Sequence, residues 1–495
     1  MDPLSRDELA RLADEFGIGL PDTQAETVRA QVEEFLAPLD DLRTLPTVVD
    51  SRSGGDRSWH APETNPYGAV AHWCDAPAAD EGPLSGTAVG VKEIIAVAGV
   101  PMECGSAVMR GHVPGRDAAV VERLRTAGAD IAATLACDEF AGSARGTTGA
   151  DGPVRNPHDP ARTAGGSSGG SAVAVVTGDV DAAIGSDTGG SVRIPAAFCG
   201  VVGLKPTHGL VPLSGVLENT YTQDHLGPIA DSVRGCARLL DAVAGATPAD
   251  PASAVAAARD GYRVGGYDEA AAEPPEAADL TLGVVEQGLG EAVRPDVVAR
   301  TEAAVERLAA AGVGVERVSV DHYDRTRTIK NLLSLTELAA HWRAGGAPYR
   351  RGGVVDPAHV EAVTARTRAY GDRVGAYYRS KLLAGARLIE RGGGWYARAQ
   401  AAREAVRESF EDALAGVDAL VTPTTPGVAP RLTDADDPGF DYAHTTRPAD
   451  VTRQPAVTLP NGDVDGLPVG LQLQAGAFEE ARLLGTAARV ERALS

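Results

Sequence analysis

The sequence predicts an α/β fold, a large sheet covered by helices on both faces. Three observations carry this. From about residue 88 onward, short runs rich in Val, Ile, Leu and Ala alternate with amphipathic stretches, as strands and helices do in turn. Glycine and proline, 58 and 32 residues, punctuate the boundaries between them. At 495 residues the chain suits one large α/β unit or two to three average domains.

The elements follow in order. Residues 6–38 read as two amphipathic helices around the turn Gly17-Ile18-Gly19-Leu20-Pro21-Asp22, and a polar stretch runs from 51 to 67. Residues 1–65 therefore form an N-terminal helical arm that packs on the body or joins a dimer, and 66–495 form the main domain. Strands are expected over 88–95, 131–136 and 201–204. Helices are expected over 117–126, with Val120, Val121 and Leu124 on one face, over 170–176, and over 233–244, which Gly245 ends. The alternation continues as strand 280–285, helix 297–310 and strand 315–320. The Arg- and Ala-rich span 325–415 reads as a helical excursion near the active-site mouth. Strands at 419–422, 456–459 and 469–474 lead to a closing helix at 479–494, and 427–450, rich in Asp, Pro and Thr, reads as a long surface loop.

Composition excludes several roles. Against 68 acidic residues stand 46 basic ones, a formal net charge of −22. Such a surface repels phosphate backbones and anionic lipid, so neither nucleic acid nor membrane is an expected partner. The chain opens on Met-Asp-Pro and acidic helical sequence, and no window holds 18 uninterrupted apolar residues, which points to the cytoplasm. Five cysteines (Cys74, Cys104, Cys137, Cys199, Cys236) form no C-x-x-C pair and read as reduced, mainly buried thiols. No H-E-x-x-H or carboxylate cluster is present, so neither a metal nor a cofactor is expected. The acidity, the scarcity of lysine and an aromatic content of 4% fit salt adaptation, although a GC-rich genome also replaces lysine by arginine.

The chemistry concentrates in residues 165–199. Two glycine-flanked serines, Ser167 and Ser191, lie 24 residues apart. A glycine-rich turn lets a substrate approach the backbone closely. Asp187-Thr188-Gly189-Gly190-Ser191 places consecutive backbone N–H groups just before a hydroxyl, the equipment of a nucleophile beside its own oxyanion hole. Upstream, Gly86-Thr87-Ala88-Val89-Gly90-Val91-Lys92 reads as a strand carrying one of only four lysines. Buried there, an amine loses its charge and becomes a base; at a strand end it more commonly snorkels to solvent. Gly165-Gly166-Ser167-Ser168-Gly169 also satisfies G-x-S-x-G, but a polar, proline-broken loop precedes it where a nucleophile elbow needs a strand. The apolar run Ala172–Val176 argues against a flexible linker, and no Gly-Lys-Ser/Thr closes a phosphate loop. His208 and His225 read as structural or pocket-lining, and Asp187 and Arg193 as an ion pair bracing the turn.

Taken together, GGSSGGSA (165–172), SDTGGSVRIPAAFCG (186–200) and VGVKEI (89–94) resemble the amidase signature family. Weaker matches, GLKPT (203–207), VTPTTP (421–426) and GLPVGL (466–471), extend the resemblance toward the C-terminus. It implies that family's fold, with a large mixed central sheet, and makes 66–495 the catalytic domain. It implies a Ser–cisSer–Lys triad: Ser191 as the nucleophile, Ser167 as the bridging serine after a cis peptide bond, and Lys92 as the base. Thr188, Gly189 and Gly190 then match the oxyanion-binding segment. THGLVP (207–212), TQDHLGP (222–228) and Ile194-Pro195 resemble broad-specificity amidases, which cleave small amides to acid and ammonia and pair as homodimers. The alternative is a glutaminyl-tRNA amidotransferase A-type subunit, which Cys137-Asp138-Glu139-Phe140 and Gly152–Pro157 also resemble; hydrolysis of hydrazides, carbamates or esters is a further one. Glu93-Ile94 and residues 445–462 depart from the family pattern. Specificity is expected in 138–150, 213–222 and the helical excursion.

Overall fold

A computed structural model describes residues 4–37, 57–346 and 356–495. The chain divides into two compact units, Met1–Arg52 and Ser53–Ser495. In the first, helices Arg6–Glu15 and Asp22–Leu36 flank the expected turn. Ser5 caps the former in a capping box with Glu8, satisfying two otherwise orphaned donors. Of the polar stretch expected at 51–67, residues 51–56 lie outside the described residues, and Trp59–His60 in the remainder form a short strand.

The second unit is built on strands β1 (Trp59–His60), β2 (Val70–Ala76), β3 (Ala88–Lys92), β4 (Asp130–Leu135), β5 (Arg155–Asn156), β6 (Asp159–Thr163), β7 (Ala182–Asp187), β8 (Val202–Lys205), β9 (His225–Ala230), β10 (Thr281–Val285), β11 (Gly314–Val318), β12 (Ala419–Pro423), β13 (Ala456–Val464) and β14 (Leu467–Gln474). Among the described residues, twelve of them form one sheet in the order β1-β2-β4-β3-β7-β9-β8-β13-β14-β12-β10-β11; β5 and β6 pair separately. The sheet is mixed: β3 runs parallel to both β4 and β7, while β7 and β9 are antiparallel.

Burial explains which strands the sequence showed. β7 is buried at all six positions, and so is β9. A strand covered on both faces loses the polar alternation that marks a half-exposed one. Helix Gly169–Val176 covers one face of this region through Ala172, Val173 and Ala174, which cluster with Ala183 of β7 and Ile229 of β9. Helix Val233–Val243 contributes Val233, Leu239 and Leu240 to the larger core cluster, with Ser232 accepting from the Gly235 N–H at its start.

One expectation holds only in part. Within the span 427–450, residues 431–440 are mostly exposed, as a surface loop would be, but the rest turns inward: Tyr442, Thr445, Ala449 and Asp450 are buried, and helix Arg447–Thr452 begins at its end. Its polar groups pair inside the fold, Arg447 with Asp441 and Thr445 with the Thr424 carbonyl, so polar composition misreports exposure here. Within the described residues, no helix is long and apolar enough to cross a membrane.

Candidate active site

The sheet's central strands deliver the site. β3 and β7 run parallel, so Lys92 at the end of β3 and Ser186 near the end of β7 emerge side by side. Beyond β7 the chain turns through Thr188–Val192 into helix Arg193–Cys199, while Ser167 and Ser168 immediately precede helix Gly169–Val176. The Ser168 N–H donates to the Ser191 carbonyl at 3.1 Å, tying the two serine turns together. The Gly166–Ser167 peptide bond is cis.

Lys92 does not snorkel. It is fully buried, and its Nζ lies 2.6 Å from Ser167 Oγ, 2.8 Å from Ser186 Oγ and 3.2 Å from Ser168 Oγ. All three partners are hydroxyls, and burial lowers the amine's pKa from its ordinary value. The proton count fits a neutral amine. Ser168 Oγ donates to the Ser186 carbonyl and accepts from the Ser186 N–H, so toward Ser168 the amine must be a donor. A neutral amine then has one further N–H and a lone pair for Ser186 and Ser167. Ser168 and Ser186 were missed as site residues, although both lie inside the serine motifs.

The Ser191 turn is held by a buried ion network. Asp187 accepts from the Gly190 N–H at 2.6 Å, the Val192 N–H at 3.1 Å, and Arg193 Nε and Nη2 at 3.0 Å each. Arg193 Nη2 also reaches Asp450 at 2.8 Å, and Nη1 reaches Gln472 at 2.7 Å. Burial alone would raise Asp187, but the adjacent guanidinium holds it well below the ordinary carboxylate range. Asp450 goes the other way, pushed up to about 8 by burial and by the Asp187 charge. Thr446 Oγ1 donates to the Gly189 carbonyl at 2.8 Å, and Thr188 Oγ1 donates to Asp224 at 2.6 Å.

Within the segment Thr188–Ser191 the backbone donors differ in their partners. The Gly190 N–H is occupied by Asp187. Thr188, Gly189 and Ser191 are the positions of the turn whose N–H groups have no acceptor among the described residues. Ser191 Oγ likewise makes no hydrogen bond among them and opens onto a cavity of about 320 Å³. Gly190 itself is obligatory: its φ is +125°, and a Cβ there would stand 2.2 Å from Thr446 Oγ1.

The cavity walls come from four places. Ala141–Arg145 and Asn219–Thr220 form one side; helix Thr326–Arg343 adds Arg327, Lys330, Asn331, Ser334 and Leu338. Tyr377 and Lys381 follow from helix Ala376–Glu390, and Asp437–Ala443 with Arg447 close the far side. Lys330, Lys381 and Asn219 carried no local signal of this placement; the scarcity of lysine was the available clue.

The histidines stay apart from Ser191. His225 Nδ1 lies 3.0 Å from the Asp187 carbonyl and its Nε2 3.3 Å from Lys205 Nζ; burial drives both His225 and His208 well below the ordinary imidazole value. Four of the five free cysteines are buried, and burial raises the Cys199 thiol far above its ordinary range. Among the described residues, no group of three or more His, Cys, Asp or Glu side chains is placed to hold a metal ion.

Comparison with known proteins agrees with the geometry. The Amidase family model matches residues 69–484. The A-type subunit of glutamyl-tRNA(Gln) amidotransferase from Halobacterium salinarum is 39% identical over 422 residues, covering 84% of this chain and 97% of that protein. The native peptide amidase of Stenotrophomonas maltophilia superposes with a TM-score of 0.70 at 32% identity, covering 83% of each chain. A further solved structure, described as an amidase, has a TM-score of 0.68 at 28% identity and covers 100% of this chain and 97% of its own. With a match over most of its length, the chain belongs to the amidase signature family, whose mixed α/β architecture it shares and whose members act on amide C–N bonds.

Proposed function

We propose that this protein hydrolyses a small carboxylic amide to the acid and ammonia through an acyl-enzyme on Ser191. One observation carries the reading: a fully buried lysine surrounded by hydroxyls, one of which sits in the turn tied to the Ser191 backbone. Neutral Lys92 takes the Ser167 proton as Ser167 takes that of Ser191, whose oxygen attacks the amide carbonyl. The N–H groups of Thr188, Gly189 and Ser191 receive the oxyanion, each such donor being worth about 3–4 kcal/mol in the transition state. The proton returns along the same path to the departing nitrogen, releasing ammonia. Water then attacks the ester by the reverse relay, freeing the acid and Ser191.

Two settings share this half-reaction. The relatives at 35–39% identity are A-type subunits of glutamyl-tRNA(Gln) amidotransferases. Those names favour the amidotransferase setting over a stand-alone amidase, and they weigh against the expectation of no nucleic-acid partner. One observation favours the stand-alone setting: the solved amidase covers the whole chain, whereas the Halobacterium protein covers 84% of it. The homodimer belongs to the stand-alone setting, with Phe16, Ile18 and Phe35 of the helical arm exposed. A cytoplasmic site of action fits both settings.

Fluorophosphonate labelling mapped by mass spectrometry tests the nucleophile; modification at Ser191 that is lost in Lys92→Ala is the expected result, and modification elsewhere refutes it. Ammonia release from small amides by the purified chain, with no other protein added, separates the settings.

A further inference from the structure

We propose that the cavity selects amides whose acyl chain carries a carboxylate, and that Lys330 is the side chain that binds it. The inference rests on the amide-hydrolase reading of Ser191 and specifies its substrate class.

Charge makes the first argument. The chain as a whole carries −22, yet three arginines (Arg145, Arg327 and Arg447) and two lysines (Lys330 and Lys381) line the cavity against two carboxylates, Asp437 and Asp441, although burial lowers both amines, Lys381 to about 7. A cationic recess in an anionic protein draws in anions and gives them a complementary potential.

Pairing makes the second. Four of these five basic side chains already have partners. Arg145 meets Asp436 at 2.7 Å, Arg447 and Arg327 share Asp441, and Lys381 Nζ donates to the Gly142 carbonyl at 2.5 Å. Lys330 makes no hydrogen bond or ion pair with any described residue. Burial disfavours the charge on this half-buried, unpartnered amine, and a substrate carboxylate beside it restores the ammonium and offsets that cost directly.

Position makes the third. Lys330 stands over the turn that carries the nucleophile: a Cβ built on Gly189 would lie 3.1 Å from Lys330 Cε and 3.5 Å from its Nζ. A carboxylate held there is close to the oxyanion donors, which sets a short acyl chain between carboxylate and amide. The volume of about 320 Å³ fits such compact molecules. Lysine supplies a compact point charge where the bulkier arginine fork, used at 42 other positions, would crowd the turn.

Ammonia release by the purified protein tests this with pairs matched in carbon number, succinamate against butyramide and glutaramate against valeramide. The expected kcat/KM ratio, half-amide over neutral amide, is about 10- to 100-fold in the unmodified protein. It falls to near unity in Lys330→Met and stays above unity in Lys330→Arg. A ratio near unity in the unmodified protein, or one unchanged by Lys330→Met, overturns the inference while leaving amide hydrolysis intact. A second readout needs no turnover: succinate should protect Ser191 from the fluorophosphonate better than butyrate does, and Lys330→Met should abolish the difference. Equal protection overturns the inference. Absence of both labelling and turnover removes the Ser191 reading, and the inference falls with it.

Discussion

Replacing Lys92 by methionine should inactivate the protein and, at neutral pH, stabilise it. In the fold the amine is buried and, for the relay to work, neutral; unfolded, it carries its proton below its ordinary value of 10.5. Between the lowered native value and 10.5 the unfolded state thus binds one proton more, and stability rises with pH by about 1.4 kcal/mol per unit. At pH 7, 3.5 units below 10.5, holding the amine neutral costs about 5 kcal/mol. Against this stand the contacts methionine cannot make. Ser168 keeps the Ser186 backbone as partner, but the hydroxyls of Ser167 and Ser186 lose theirs, at about 1 kcal/mol each. Lys92→Met should therefore gain about 3 kcal/mol at pH 7, an advantage that vanishes near pH 9. Amide turnover should fall about 10²- to 10⁴-fold. Denaturant midpoints of both proteins at pH 7 and pH 9 check this. A stability difference independent of pH, or a less stable methionine variant at pH 7, would show that Lys92 is charged in the fold.

The same proton predicts the rate profile: kcat/KM should climb about tenfold per pH unit while Lys92 is still an ammonium, then level off below pH 10.5 because burial has lowered its pKa. A profile flat through the acid limb would assign the base elsewhere. Gly190→Ala forces an alanine to φ +125° and sets its Cβ against Thr446 Oγ1. It should cost about 1–3 kcal/mol and slow Ser191 labelling. Adding Thr446→Ala removes the Oγ1 contact but leaves Ile194 Cδ1 and the Cβ of residue 446, each 2.7 Å from the new methyl, and the backbone strain, so rescue should be partial, as thermal melts would register. If the acidic composition is a salt adaptation, activity and melting temperature should rise between low and molar salt; equal values refute it.

Much of this fold was legible in its residues, and the omissions have physical causes. Strands such as β3 and β10, and helices such as Val233–Val243, came within a few residues of their observed ends because their apolar runs were clear. The strand Ala182–Asp187 passed unnoticed as an element, being short, small-residue-rich and buried on both faces. The pair Asp187 and Arg193 was readable as a brace, but the sequence could not show that the carboxylate would also claim the Gly190 N–H, since that depends on how the turn closes. Lys330 and Lys381 enter from helices whose docking no periodicity specifies. Asp138 illustrates the same limit: its carboxylate accepts the Gly146 and Thr148 N–H groups and leaves no room for a side chain at Gly166.

All four lysines of this chain sit inside it: Lys92 and Lys205 are fully buried, while Lys330 and Lys381 face the cavity. The exterior therefore offers acylating, cross-linking or conjugating reagents no side-chain amine. Amine-directed chemistry is funnelled into the cleft, where a small acyl donor would report on the catalytic chamber rather than on the protein's coat.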